Sequence, residues 1–191
     1  GSNDNLNDSL DALIVSDFIY QSKLLKDSYI FKHIITRDVA YNTLLKSNRK
    51  IIHGIVGTLV EEIFSDSLEI FYYQLAEHFD KGKLVDRAVK YLELSGERAQ
   101  TLFDNIQAKK FYTRLLEIEN SNDIEYKSNV QLKLCEVLLI LGDWDECEEI
   151  IKEVIDSIKD ISKQKHDWAC GELGNLYFQK GLLDDALQLL L

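Results

Sequence analysis

Few residues of this chain could do chemistry, and their spacing argues against it. Histidines stand at His33, His53, His78 and His166, and cysteines at Cys135, Cys147 and Cys170. A structural zinc site needs such ligands in close pairs, as in C-x-x-C or H-x-x-x-H. Here the cysteines have eleven and twenty-two residues between them, and no H-E-x-x-H occurs. There is no G-x-x-x-x-G-K-[ST] loop to cradle a phosphate and no G-x-S-x-G nucleophile elbow. Asp143, Asp145, Glu146, Glu148 and Glu149 form an acidic run, but it lacks the glycine and ligand order of a calcium loop and reads as a solvated helix start. Lys46, Arg49 and Lys50 are the one basic cluster, read as a solvated turn. A net charge of −11 argues against a nucleic-acid surface, which needs clustered positive charge. The expectation is a catalytically silent fragment without cofactor or metal.

What the chain does carry is a frame of small residues. Cys135 and Cys147 are twelve positions apart, with Leu138 and the Gly142-Asp143 turn between them. Ala76 and Ala88, Gly96 and Ala108, and Gly174 and Ala186 repeat the interval. A small residue on each of two antiparallel helices lets their backbones approach closely, and a glycine between them ends the first helix in a left-handed turn. This arrangement closely resembles the tetratricopeptide repeat. Gly96 to Cys135 and Cys135 to Gly174 both span thirty-nine positions, whereas Ala76 to Gly96 spans twenty. Long, regular repeats therefore follow a first repeat fused with the second.

The elements follow in order. Gly1 to Ser9 is polar and reads as frayed, and Leu10 to Phe18 as a short helix. Phe18-Ile19-Tyr20 and Tyr29-Ile30-Phe31, aromatic and β-branched around the polar 21–28 segment, read as a β-hairpin. Together they look like the end of a winged-helix domain. Thr36 is the expected N-cap of a helix to Lys46. Ser47 would cap a second, Asn48 to Phe64, with Ile51, Ile55, Leu59 and Ile63 as its apolar stripe. Asp66 and Glu69 suit a capping box for a helix ended by Gly82. Leu84 to Phe103 fits one helix, or two bent at Ser95-Gly96. Then come Ile106 to Ile118, Tyr126 to Leu141, Trp144 to Ile161 with a second capping box at Asp143 and Glu146, His166 to Lys180, and Leu183 to Leu191. Zero prolines suit this helical reading, and no apolar run approaches a membrane span. The cysteines fall near small-residue core positions and read as buried free thiols of a reducing cytosol, hence a cytoplasmic protein. With no methionine and a Gly1-Ser2 start like an expression scar, the chain reads as a piece of a longer protein.

A second resemblance lies between Tyr29 and His53. Phe31, His33, Arg37, Asp38, Ala40, Tyr41, Leu44, Leu45, Arg49 and His53 match the F-R-H-x-x-x-R-D-x-A-Y-x-x-L-L-x-x-x-R-x-x-x-H segment of STAND-type signalling ATPases. The string is similar to that of bacterial class III adenylate/guanylate cyclases, whose catalytic domain precedes an ATPase module and tetratricopeptide repeats. It also resembles the M-H-D-x-x-R-D-x-A motif of related switch ATPases, in which the histidine contacts the β-phosphate of ADP. That resemblance implies a nucleotide-sensing role for His33. Ile34 stands where the motif has Asp, a departure from it, and a histidine holding the strand-to-helix junction is the plainer role.

The fold expected is therefore all-α: a tetratricopeptide-like right-handed helical array with a small N-terminal helix plus β-hairpin. Residues 1–47 would be the winged-helix end and junction helix, and residues 48–191 the repeat domain. The function expected is regulatory protein binding within a larger signalling protein resembling an ATPase-coupled nucleotide cyclase. Alternatives are the sensor region of a STAND-type transcriptional regulator or a free-standing repeat adaptor. The partner would be a protein or peptide, or another domain of the same chain, with no nucleic acid and no membrane. In such arrays the first helix of each hairpin lines the groove. Taking Ala76, Cys135 and Gly174 as its packed small residues gives Tyr73, Glu77, Asn129, Glu136, Asn175 and Phe178 as partner-binding candidates.

Overall fold

The computed structural model describes residues 2–22, 28–159 and 161–190, residues 2–4 and 190 by their backbone alone. The middle of the expected hairpin connection, together with Gly1 and Leu191, lies outside the described residues. The chain divides into two compact units, residues 1–52 and 53–191.

In the first unit, α1 (Ser2–Val15) leads to β1 (Ile19–Gln21), which pairs antiparallel with β2 (Tyr29–Phe31) in the register Ile19 to Phe31. The expected hairpin is there. The helix before it is longer than expected and includes the polar stretch read as frayed. Next, α2 (Ile34–Thr43) starts two residues before Thr36. The reason is local. The Lys32 amide donates to the Phe18 carbonyl and closes the hairpin, leaving His33 extended as the N-cap, and its side chain makes no capping bond. Ile19 is the buried side chain of this unit among the described residues; Phe18, Tyr20, Tyr29, Ile30 and Phe31 are exposed.

Helix α3 (Lys46–Ile63) turns its expected stripe outward, with Ile51 60% and Ile63 69% exposed. Its packed face is built on glycine. A Cβ at Gly57 would lie 2.8 Å from the Phe79 ring, so nothing larger than glycine fits there. The Asp66–Glu69 segment is not a capping box but part of a 3-10 turn, Ser65–Phe71, in which Glu69 pairs with Arg98 at 3.1 Å. α4 follows as Tyr72–Gly82. Gly82 does not form its left-handed end; Lys83 does, at φ 56°. Gly82 is used for contact instead: a Cβ there would sit 3.0 Å from the Gly54 backbone nitrogen.

The remaining helices are α5 (Val85–Thr101), α6 (Asn105–Ile118), α7 (Ile124–Leu141), α8 (Trp144–Ile158), α9 (Lys163–Gln179) and α10 (Leu183–Leu190). Asp104, Asp123 and Ser162 cap α6, α7 and α9 by accepting backbone N–H bonds. Gly142, at φ 81°, ends α7 as expected. Asp143 makes no cap for α8, because Lys109 donates to both Asp143 and Glu146, at 2.8 and 2.7 Å. α5 is one unbroken helix. Gly96 serves not as a bend but as the seat of the Tyr112 ring, which stands 2.5 Å from where a Cβ would be.

Each helix from α4 to α10 packs on its neighbours in sequence. Ala76, Ala88, Gly96, Ala108, Cys135, Cys147, Gly174 and Ala186 are all buried. At the α7–α8 crossing each thiol donates to the other cysteine's carbonyl, at 3.9 and 3.7 Å. The neighbouring Cys147 side chain first, and burial second, hold the Cys135 thiol well above its ordinary range, so it stays protonated. Between these crossings pack Leu75, Phe79, Tyr91, Tyr112, Leu115, Leu138, Ile151, Val154 and Ile158, all fully buried. The second unit is an all-α array of antiparallel hairpins of tetratricopeptide type.

Candidate interaction groove

Helices α5, α7 and α9 together wall a groove of about 560 Å³. Its lining follows the thirty-nine-residue interval. Asn129, Lys133 and Glu136 share one face of α7, three and four positions apart, and thirty-nine positions on stand Trp168, Glu172 and Asn175 of α9. α5 contributes Glu93, and Glu97, thirty-nine before Glu136, accepts from the groove's Lys133. α5 therefore has two roles. Ala88 is buried in its first half, towards the N-terminal neighbour α4, while Gly96 receives Tyr112 of α6.

The groove floor is a polar lattice. Tyr126 donates to Glu93 at 2.9 Å. The Lys133 ammonium donates to Glu93 at 2.8 Å and Glu97 at 2.6 Å. Burial works against its charge, but those two carboxylates hold its pKa above the ordinary lysine range. Burial and the bond to Glu93 push the Tyr126 hydroxyl up, so it remains a donor. Lys165 is held by Glu125 at 2.6 Å. Asn129 is half-buried and its amide bonds to no other described residue. Trp168 stands 42% exposed at the groove wall.

Of the six residues singled out from sequence, Asn129 and Glu136 line this groove. Tyr73 lies instead against Phe111 of α6, ring centroids 4.8 Å apart, and Glu77 pairs with Lys81 one turn on. Asn175 and Phe178 are exposed on α9. His33 is exposed at the start of α2, and Arg37 pairs with the adjacent Asp38 at 2.8 Å. Sequence reasoning missed Glu93, Lys133 and Trp168; applying the thirty-nine-residue interval to Asn129 would have found Trp168.

Two histidines that looked dispersed come together: the Nδ1 atoms of His53 and His78 are 3.0 Å apart. Burial pushes His78 below its ordinary pKa, which favours the neutral ring. Among the described residues, no group of three His, Cys, Asp or Glu side chains is placed to hold a metal ion. No helix among them is long and apolar enough to cross a membrane.

No known family signature matches the chain. One curated relative is an uncharacterised protein, R02095, of Rhizobium meliloti (strain 1021). It is 26% identical over 93 residues, which cover 49% of this chain and 9% of that protein. The chain thus spans under a tenth of that relative. Among solved structures, a variant of a Podosopora anserina protein described as a kinesin light chain with nearly identical TPR-like repeats is 14% identical. It aligns over 76% of this chain and 92% of its own, with a TM-score of 0.45. MamA is 15% identical over 84% of this chain and 92% of its own, with a TM-score of 0.44.

Proposed function

We propose that the chain is a non-catalytic protein-interaction module that captures an extended protein segment in the α5–α7–α9 groove. One observation carries the reading: on α7 and α9 the same repeat position presents an unpartnered amide, Asn129, and an exposed aromatic, Trp168, to one cavity. An amide can donate to and accept from an extended backbone at once. A tryptophan beside it is the side chain that most often dominates an interface. The match between Phe31 and His53 and the STAND-type string supports placing this module in a larger signalling protein, of which an ATPase-coupled nucleotide cyclase is the favoured kind. A test is selection of a random dodecapeptide library on the immobilised chain. Binders should compete with one another and be lost on Asn129→Ala with Trp168→Ala, at unchanged helicity. Binders insensitive to both changes would place the working surface elsewhere.

A further inference from the structure

The charges at the groove are not balanced. Its lining holds Glu93 and Glu136 with Lys133 and Lys165, and Glu97 and Glu125 also bond those two lysines. Both lysines are already committed, Lys133 between Glu93 and Glu97 and Lys165 to Glu125. Glu136 and Glu172 form no ion pair among the described residues. They belong to α7 and α9, two of the helices that wall the groove. Burial first, and the Glu136 charge second, hold the Glu172 carboxyl above its ordinary pKa. Trp168 and Glu136 line the groove together, and Glu172 stands one turn beyond Trp168 on the same face of α9.

From this juxtaposition we infer that the groove takes a basic extended segment of a partner protein, one arginine or lysine of which lies over Trp168 with its charge between Glu136 and Glu172. Carboxylate pairs on facing helices repel each other until a cation separates them, and a guanidinium suits the place in two ways. Its flat face stacks on the indole, and its fork of donors serves two carboxylates at once. Asn129, one repeat back from Trp168, is positioned to hold the segment's backbone.

The inference rests on the groove being the binding surface, and the test separates the two. The probes are a fluorescein-labelled capped heptapeptide with two arginines spaced by alanine, and its counterparts with glutamine or glutamate at those positions. Binding is followed by anisotropy in low salt. We expect the arginine peptide to bind at least about tenfold tighter than the glutamine peptide, since hydrogen bonds to charged groups exceed neutral ones by about that factor. Glu136→Gln with Glu172→Gln should erase the preference. The acidic chain attracts cations generally, so a control removes two exposed carboxylates of α8, Glu149→Gln with Asp156→Asn, and should leave the preference intact. Equal loss in both double variants would mean diffuse attraction and overturn the inference. So would a glutamine or glutamate peptide binding as well as the arginine one; if Trp168→Ala still weakened those peptides, the groove itself would stand. Indifference of all three peptides to Trp168→Ala would overturn both.

Discussion

Replacing Gly96 with alanine should destabilise the protein, although glycine inside a helix is ordinarily the worse residue. In an open helix the change is worth about 0.8–1.0 kcal/mol in favour of alanine. At this position the new methyl would stand 2.5, 2.7 and 2.9 Å from three carbons of the Tyr112 ring. That ring is fully buried and cannot yield freely, and its hydroxyl donates to Gln100. Overpacking of this kind costs about 1–3 kcal/mol, and a strained buried hydrogen bond about 1 kcal/mol more. The net loss should be about 1–3 kcal/mol, with about 2–4 °C in melting temperature lost per kcal/mol for a chain of this size. Gly171 is the matched control. It lies within α9, and a Cβ there meets nothing within 4 Å, so Gly171→Ala should keep the propensity gain and raise the melting temperature. Thermal melts followed at 222 nm read both signs. If Gly96→Ala stabilises as Gly171→Ala does, the α5–α6 crossing is not the tight contact described.

Glu148 accepts from Lys152, Lys180 and Tyr177, which depress its pKa from 4.5 to about 2. A depressed carboxyl stabilises the folded state above pH 4.5 and loses that effect as the pH falls towards 2. Glu148→Gln should therefore cost up to about 1 kcal/mol at pH 7, as partly exposed pairs do, and the gap should narrow by pH 3 in urea titrations; a constant gap would contradict the linkage. The purified chain should neither hydrolyse ATP nor form a cyclic nucleotide, and turnover abolished by a substitution within it would refute the non-catalytic reading.

The array was legible because its signal is geometric. Small residues twelve apart can serve only a close crossing of antiparallel helices, and the buried Ala76, Ala88, Ala108, Cys135, Cys147, Gly174 and Ala186 follow that frame. The helix ends read less well. Caps are decided by competition for side chains: Lys109 draws Asp143 and Glu146 away from α8, and Arg98 draws Glu69. Glycine misled at Gly82, where its missing side chain admits a neighbour rather than a turn; at Gly96 the small-residue frame had already placed a close crossing, and only tertiary contact separates the two uses. The stripe of α3 misled in the opposite way: Ile51, Ile55, Leu59 and Ile63 have helical spacing but remain exposed, while Gly57 marks the packed side. Part of the groove was legible through Asn129 and Glu136. Trp168 was passed over because an aromatic in a helical pattern reads as core, although the thirty-nine-residue interval from Asn129 points to it.

The most direct test of the groove as the working surface is an amide NMR titration of the chain with a peptide recovered by library selection. Shifts should gather on the inward residues of α5, α7 and α9, with Asn129, Glu136, Trp168 and Glu172 among the largest, and should disappear with Trp168→Ala. Shifts gathered instead on α6 and α8, or on the exposed face of α3, with the α7 and α9 amides unmoved, would contradict it.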